Sequence, residues 1–77
     1  MATIEEIKEI IKEEVKERVD IDALDANASL DDAGVDSLDM SSVFMNIEDK
    51  YGIKIPDADI EKLRTVNDIV SYINDKS

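Results

Sequence analysis

Cysteine and histidine are both absent from the 77 residues. Without cysteine there are no disulfide staples, no thiolate metal sites and no thiol nucleophile. Without histidine the commonest general base and the commonest metal ligand are missing together. Aromatic side chains are scarce, with only Phe44, Tyr51 and Tyr72. A core must therefore be built from Ile, Leu, Val, Ala and Met, which pack adaptably. No apolar run approaches the length of a membrane span. Residues Met1 to Glu6 show neither a basic n-region nor an apolar h-region, so no export signal is visible. A soluble, cytoplasmic protein is the expectation.

Positive charge is also in short supply. Nine Lys and Arg stand against 20 Asp and Glu, a net charge of −11. Such a surface repels phosphate backbones and anionic lipid, which argues against nucleic-acid and membrane partners and for proteins that present Lys and Arg. The hydrophobic fraction of 43% is that of a folded chain. The length makes one domain, 1–77, near the size at which a single core is only just sufficient. A monomer is expected.

The first segment reads as a helix from Ile4 to about Val19. Thr3 and Glu6 fit a capping box. Ile4, Ile7, Ile11 and Val15 recur at helical steps, with Ile10 beside them. The other face mixes six Glu with three Lys and one Arg, a solvated face in which pairs such as Glu14 with Arg18 add ~0.2–0.5 kcal/mol. From Asp20 to Val35 the periodicity stops. A connection this long in so small a domain is functional or disordered as a rule, and Ile21, Leu24, Leu30 and Val35 suggest that it lies against the core. Gly34 marks a turn. A second helix follows from Asp36 or Ser37 to Lys50, stopping at Gly52, with Met40, Val43, Phe44, Ile47 and Tyr51 inward. Leu38, Ser41 and Met45 form a neighbouring stripe, whose exposure would suit a partner or be an ordinary surface feature. After the extended Ile53 to Ile55 and Pro56, a short helix is expected over Asp57–Leu63. Thr65 with Asp68 resembles a cap for a last helix, Val66–Asn74, whose buried face is Val66, Ile69, Val70 and Ile73. The fold class is all-α: a small four-helix bundle, three helices longer and one short, with a long first loop.

The acid is uneven. Between Val19 and Asp49 there is no Lys or Arg, and the stretch holds Asp20, Asp22, Asp25, Asp31, Asp32, Asp36, Asp39, Glu48 and Asp49. Nine carboxylates without local partners destabilise by self-repulsion, so recognition by basic patches is one reason to keep them; general solubility is another. In their midst lies Gly34-Val35-Asp36-Ser37-Leu38-Asp39-Met40. Asp36 suits a helix cap, and Ser37 then falls on the first turn, beside free amides and the positive end of the dipole. That place tolerates a phosphate. It is equally a plain helix start.

Gly34-Val35-Asp36-Ser37-Leu38-Asp39 resembles the Asp-Ser-Leu signature of acyl carrier proteins. Asn27-Ala28-Ser29-Leu30 is similar to the family's loop, and Tyr51-Gly52-Ile53-Lys54-Ile55-Pro56-Asp57 to its approach to the short third helix. Thr65-Val66-Asn67-Asp68-Ile69-Val70-Ser71-Tyr72-Ile73 is similar to its closing helix. The likeness spans the chain in order, and from Met1 to Ser77 it looks like the free-standing form. It implies a non-catalytic carrier for fatty acid, polyketide or specialised lipid synthesis. A phosphopantetheinyl transferase would join 4′-phosphopantetheine from coenzyme A to Ser37 by a phosphodiester, and the arm's thiol would hold acyl groups as thioesters. Asp36 would orient the helix start. Leu38, Asp39, Ser41, Met45 and Glu48 would be read by acyl-processing enzymes with basic docking patches. Met40, Ile55, Ile60, Leu63 and Ile69 are candidates to line an acyl pocket, with plain core packing the other reading of each. Ser41-Ser42 departs from the family, where a bulkier apolar residue and a glutamate are usual, and this points toward a specialised carrier.

Two other classes compete. Asp25, Asn27, Ser29, Asp31, Ala33 and Asp36 fall at the offsets of a helix–loop–helix calcium loop, but Leu30 stands where that loop needs glycine and Asp36 where it needs a bidentate Glu. Loose divalent binding to the acidic cluster fits better than a dedicated metal site. An acidic interaction module that is never modified would explain the charge equally well.

Overall fold

A computed structural model describes residues 1–76; Ser77, the end of the proposed free-standing form, lies outside the described residues. Four α-helices occur among them: α1 (Ile4–Val15), α2 (Ser37–Tyr51), α3 (Asp57–Ile60) and α4 (Val66–Lys76). The order and the class match the sequence reading.

Helix α1 opens on the expected capping box, with the Glu6 N–H donating to Thr3 Oγ1 and the Thr3 N–H to Glu6 Oε1. Ile7, Ile10, Ile11 and Val15 are buried along one face, as the spacing requires. The helix ends four residues before Val19. Lys16 takes φ 54, ψ −126, and Lys16–Arg18 form a 3₁₀ turn. A non-glycine residue at positive φ is strained. In return the early stop half-buries Val19 and buries Ile21. It also sends Arg18 away from Glu14: the expected Glu14–Arg18 pair does not form, Glu14 instead accepting from Asn46.

The long connection lies on the core, with Ile21, Leu30 and Val35 buried. Backbone bonds pin it to the α3–α4 junction: the Leu30 N–H donates to the Arg64 carbonyl at 2.9 Å and the Asn67 N–H to the Ala26 carbonyl at 3.0 Å. Lys8 Nζ holds the Leu24 carbonyl from the side of α1. Helix α2 runs one residue past Lys50 and stops at Gly52, which takes the left-handed conformation at φ 66. Its Val43, Phe44 and Ile47 are buried, while Met40 and Tyr51 pack half-buried against the core.

The expected short helix Asp57–Leu63 is helical only to Ile60. Lys62 and Leu63 close with tighter bonds to Asp59 and Ile60, which turns Leu63 inward and leaves the Arg64 carbonyl for Leu30. Thr65 caps α4 through the Asp68 N–H, but the return arm from Asp68 reaches the Arg64 N–H rather than Thr65. Helix α4 continues to Lys76, two residues beyond expectation. Its Tyr72 hydroxyl donates to Asp59 at 2.6 Å and ties down α3. Asn74 brackets the backbone of Ala2 with both amide atoms, so the ends of the described chain are joined.

Candidate functional site

The α2 amino terminus is built by two aspartates. Asp36 Oδ1 accepts from the Asp39 N–H at 2.9 Å, and Asp39 Oδ2 accepts from the Asp36 N–H at 3.4 Å. This reciprocal box is the acidic counterpart of Thr3 with Glu6 and fixes the first turn. Asp36 therefore has the place the sequence assigned it. Ser37, the first helical residue, is exposed, and within the described residues its hydroxyl enters no hydrogen bond. The first amides of any helix lack partners one turn back, and they face negative charge favourably.

Ser37 stands on the lip of a groove of about 1070 Å³ between α2, the long connection and α3. Of the residues proposed to line an acyl pocket, Met40, Ile55, Ile60 and Leu63 are in its wall. Ile69 is not: it is fully buried on the inner face of α4 and packs the core. Leu30, Val35 and Phe44 also line the groove. Phe44 was legible only as an inward residue, and Leu30 and Val35 only as apolar residues in a loop. Nothing in their spacing announces that the connection folds over the foot of α2.

The residues expected to meet partners divide into two groups. Leu38 is 79% exposed and Met45 63% exposed, and Ser41 is exposed one turn below Ser37 on the groove wall. Glu48 and Asp39, by contrast, are engaged by their own chain. Glu48 Oε2 accepts from the Ile55 N–H at 2.8 Å and fixes the segment after α2. Asp39 Oδ2 accepts from Arg18 Nη2 at 2.6 Å. The guanidinium bond, above all other contacts, holds the Asp39 carboxyl below the usual carboxylate range and raises Arg18 in return.

Those contacts revise the electrostatic picture. The nine carboxylates between Val19 and Asp49 are not all without partners, because Asp39 is paired with Arg18 and Asp22 with Lys12 at 2.9 Å. Lys12 comes from the last turn of α1 and Arg18 from the 3₁₀ turn that follows it, both outside the cation-free stretch. Of the remaining acid, Asp31, Asp32 and Glu48 line the groove with Ser37, and the exposed Asp36 immediately precedes it.

The calcium-loop positions are engaged locally. Asp25 Oδ1 accepts from the Asn27 N–H, Asn27 Oδ1 from Asn67, Ser29 Oγ from the Asp32 N–H, and Asp36 caps α2. Leu30 is buried at the position that needs glycine. Among the described residues no three acidic side chains converge in a way that could hold a metal ion. Nor is any described helix long and apolar enough to cross a membrane.

An exposed, unengaged hydroxyl at a helix start, opening on a groove with an apolar wall, fits covalent attachment of a phosphate-linked arm. Comparison with known proteins points the same way. Residues 5–73 match the family described as the phosphopantetheine attachment site. An acyl carrier protein of Thermotoga maritima is 42% identical over 79 residues, covering 99% of this chain and 98% of its own. One of Bdellovibrio bacteriovorus is 44% identical over 77 residues, covering 99% and 96%, and one of Campylobacter jejuni subsp. doylei 37% over 75, covering 96% and 95%. Matched along nearly its whole length, across the Asp36-Ser37 helix start, the chain belongs to the acyl carrier protein family.

Proposed function

We propose that Ser37 is the attachment point of the 4′-phosphopantetheine arm of this non-catalytic acyl carrier. The observation that carries this reading is the Ser37 hydroxyl itself: exposed, free of internal hydrogen bonds, and at the lip of the groove. When bound, the arm supplies a terminal thiol that holds acyl groups as thioesters. Asp36 and Asp39 keep the first turn of α2 rigid, so the hydroxyl is presented at a set position. No histidine exists to activate it, so the base for the transfer belongs to the transferase.

Met40, Ile55, Ile60 and Leu63 make the apolar wall against which an acyl chain shelters, with Phe44 completing it. Leu38, Ser41 and Met45 supply the surface that acyl-processing enzymes cover. The carboxylates around Ser37 draw in the basic patches of those enzymes. Residues 1–77 work as a single, monomeric carrier domain in the cytoplasm, for fatty acid, polyketide or specialised lipid synthesis. The small hydroxyls of Ser41-Ser42 on α2 favour a specialised set of enzymes.

The test is intact mass after incubation with coenzyme A and a broad-specificity phosphopantetheinyl transferase. One added arm is expected on the wild-type chain and none on Ser37→Ala. A wild-type chain that gains no mass, or a Ser37→Ala chain that still gains it, overturns the reading.

A further inference from the structure

Read along the sequence, the approach to Ser37 is wholly acidic. The fold changes this by placing Arg18 beside the first turn of α2. Arg18 is 54% exposed, whereas the Asp39 side chain it holds is only 15% exposed. Asp39 sits next to Leu38, the most exposed apolar side chain of α2, and any enzyme acting at Ser37 must cover this turn. Two consequences follow at the one position. The Asp39 carboxylate is already neutralised, and a basic group aimed at it meets the half-exposed guanidinium, a like charge. A built-in repulsive element of this kind discriminates between partners as effectively as an attractive one.

We propose that Arg18 is a specificity-determining residue of the docking surface: it withholds Asp39 from basic enzymes and selects those that read α2 through Leu38, Met45 and the carboxylates away from Asp39. The inference rests on Ser37 being the attachment point. Arg18 reaches this place because α1 stops at Val15 and the strained Lys16 turns the chain. The Asp36–Asp39 box donates through backbone N–H groups as well, so the helix start survives without Arg18.

The test compares the wild-type chain with R18Q, R18Q/D39N and K16Q as substrates of a phosphopantetheinyl transferase that has a basic docking patch, with added mass as the readout. K16Q removes the same charge two residues away and leaves the Arg18–Asp39 bond in place. R18Q is expected to lower KM by roughly threefold to tenfold at low ionic strength with kcat unchanged. The gain should vanish at high salt, where exposed charges are screened. It should also vanish in R18Q/D39N, and K16Q should track the wild-type chain. An R18Q chain that matches K16Q overturns the proposal, as does a gain that persists in R18Q/D39N, or a change in kcat instead of KM. In each of these cases the wild-type chain is still modified, so the Ser37 reading stands. A wild-type chain that takes no arm overturns both.

Discussion

Arg18 Nη2 donates to Asp39 Oδ2 at 2.6 Å across 21 positions of the chain. The bond joins the 3₁₀ turn after α1 to the start of α2 and brings a cation to the edge of a stretch that has none of its own. It is part of a short relay, since the same Asp39 oxygen accepts the Asp36 N–H.

Because the Arg18 hydrogen bond depresses the Asp39 carboxyl in the folded state, the bond carries a pH signature. A lowered carboxyl contributes stability that is present above its unfolded value, near ~4. The contribution is lost as pH falls through the folded value. Melting curves of wild type and R18Q should therefore differ at neutral pH and draw together as the pH falls below the ordinary carboxylate range. A gap that stays constant through acidification counts against the pairing.

Ser37 and Asp36 should behave oppositely when replaced. Ser37→Ala removes an exposed side chain with no internal bond, and its unfolding free energy should stay within about 0.5 kcal/mol of wild type. Asp36→Ala removes the cap on the Asp39 N–H and should cost about 0.5–2 kcal/mol. Urea unfolding followed by circular dichroism measures both. Equal losses would mean that Ser37 is a structural cap rather than a free hydroxyl.

Lys16 holds φ 54 at the end of α1, a region that glycine enters without the clash a side chain makes. Lys16→Gly should raise stability by about 1 kcal/mol. A destabilised variant would show that the Lys16 side chain, not its backbone, is what the turn depends on.

Tyr72 reports the anchoring of α3. Its hydrogen bond to Asp59, followed by burial and by the charge of that carboxylate, pushes it up to about 12. Tyr51 is also raised, first by burial and then by Glu6. A raised phenol contributes stability that is whole below its unfolded value, near ~10, and lost as pH climbs through the folded one. Absorbance titration of the tyrosinate band should show one group near 12, and Asp59→Asn should bring it back toward ~10. Unchanged titration in that variant would place the cause elsewhere.

Groove and core residues should separate on acylation. Ile69 is fully buried, and Ile69→Ala should cost about 2–5 kcal/mol whether or not an acyl group is attached. Ile60 is half-buried in the groove wall, and Ile60→Ala should cost less. If acyl chains shelter in the groove, lengthening them should raise the melting temperature of the holo-protein, and Ile60→Ala should blunt that rise. Melting that is flat across a chain-length series would argue that the chain stays outside.

Much of this protein was readable from the chain alone. The isoleucine spacing of α1, the Thr3–Glu6 and Asp36 caps and the stop at Gly52 all follow from local rules, since each involves residues within a turn or two of one another. The first-turn position of Ser37 followed for the same reason. What local pattern could not reach were partners far apart in sequence. Helical periodicity carried α1 on to Val19, because nothing in Lys16-Glu17-Arg18 signals a backbone turned to positive φ. Ile69 looked as suited to the groove as Ile60, because an inward face does not say which side of the core it meets. Asp39 and Glu48 looked free for partners, but Arg18 and the Ile55 amide claim them. The sequence alone determined the helices, their caps and the place of one serine, because these depend on neighbours along the chain. Only the tertiary structure decided which charges remain for an enzyme to find and where the groove opens, because both depend on which distant segments are packed together.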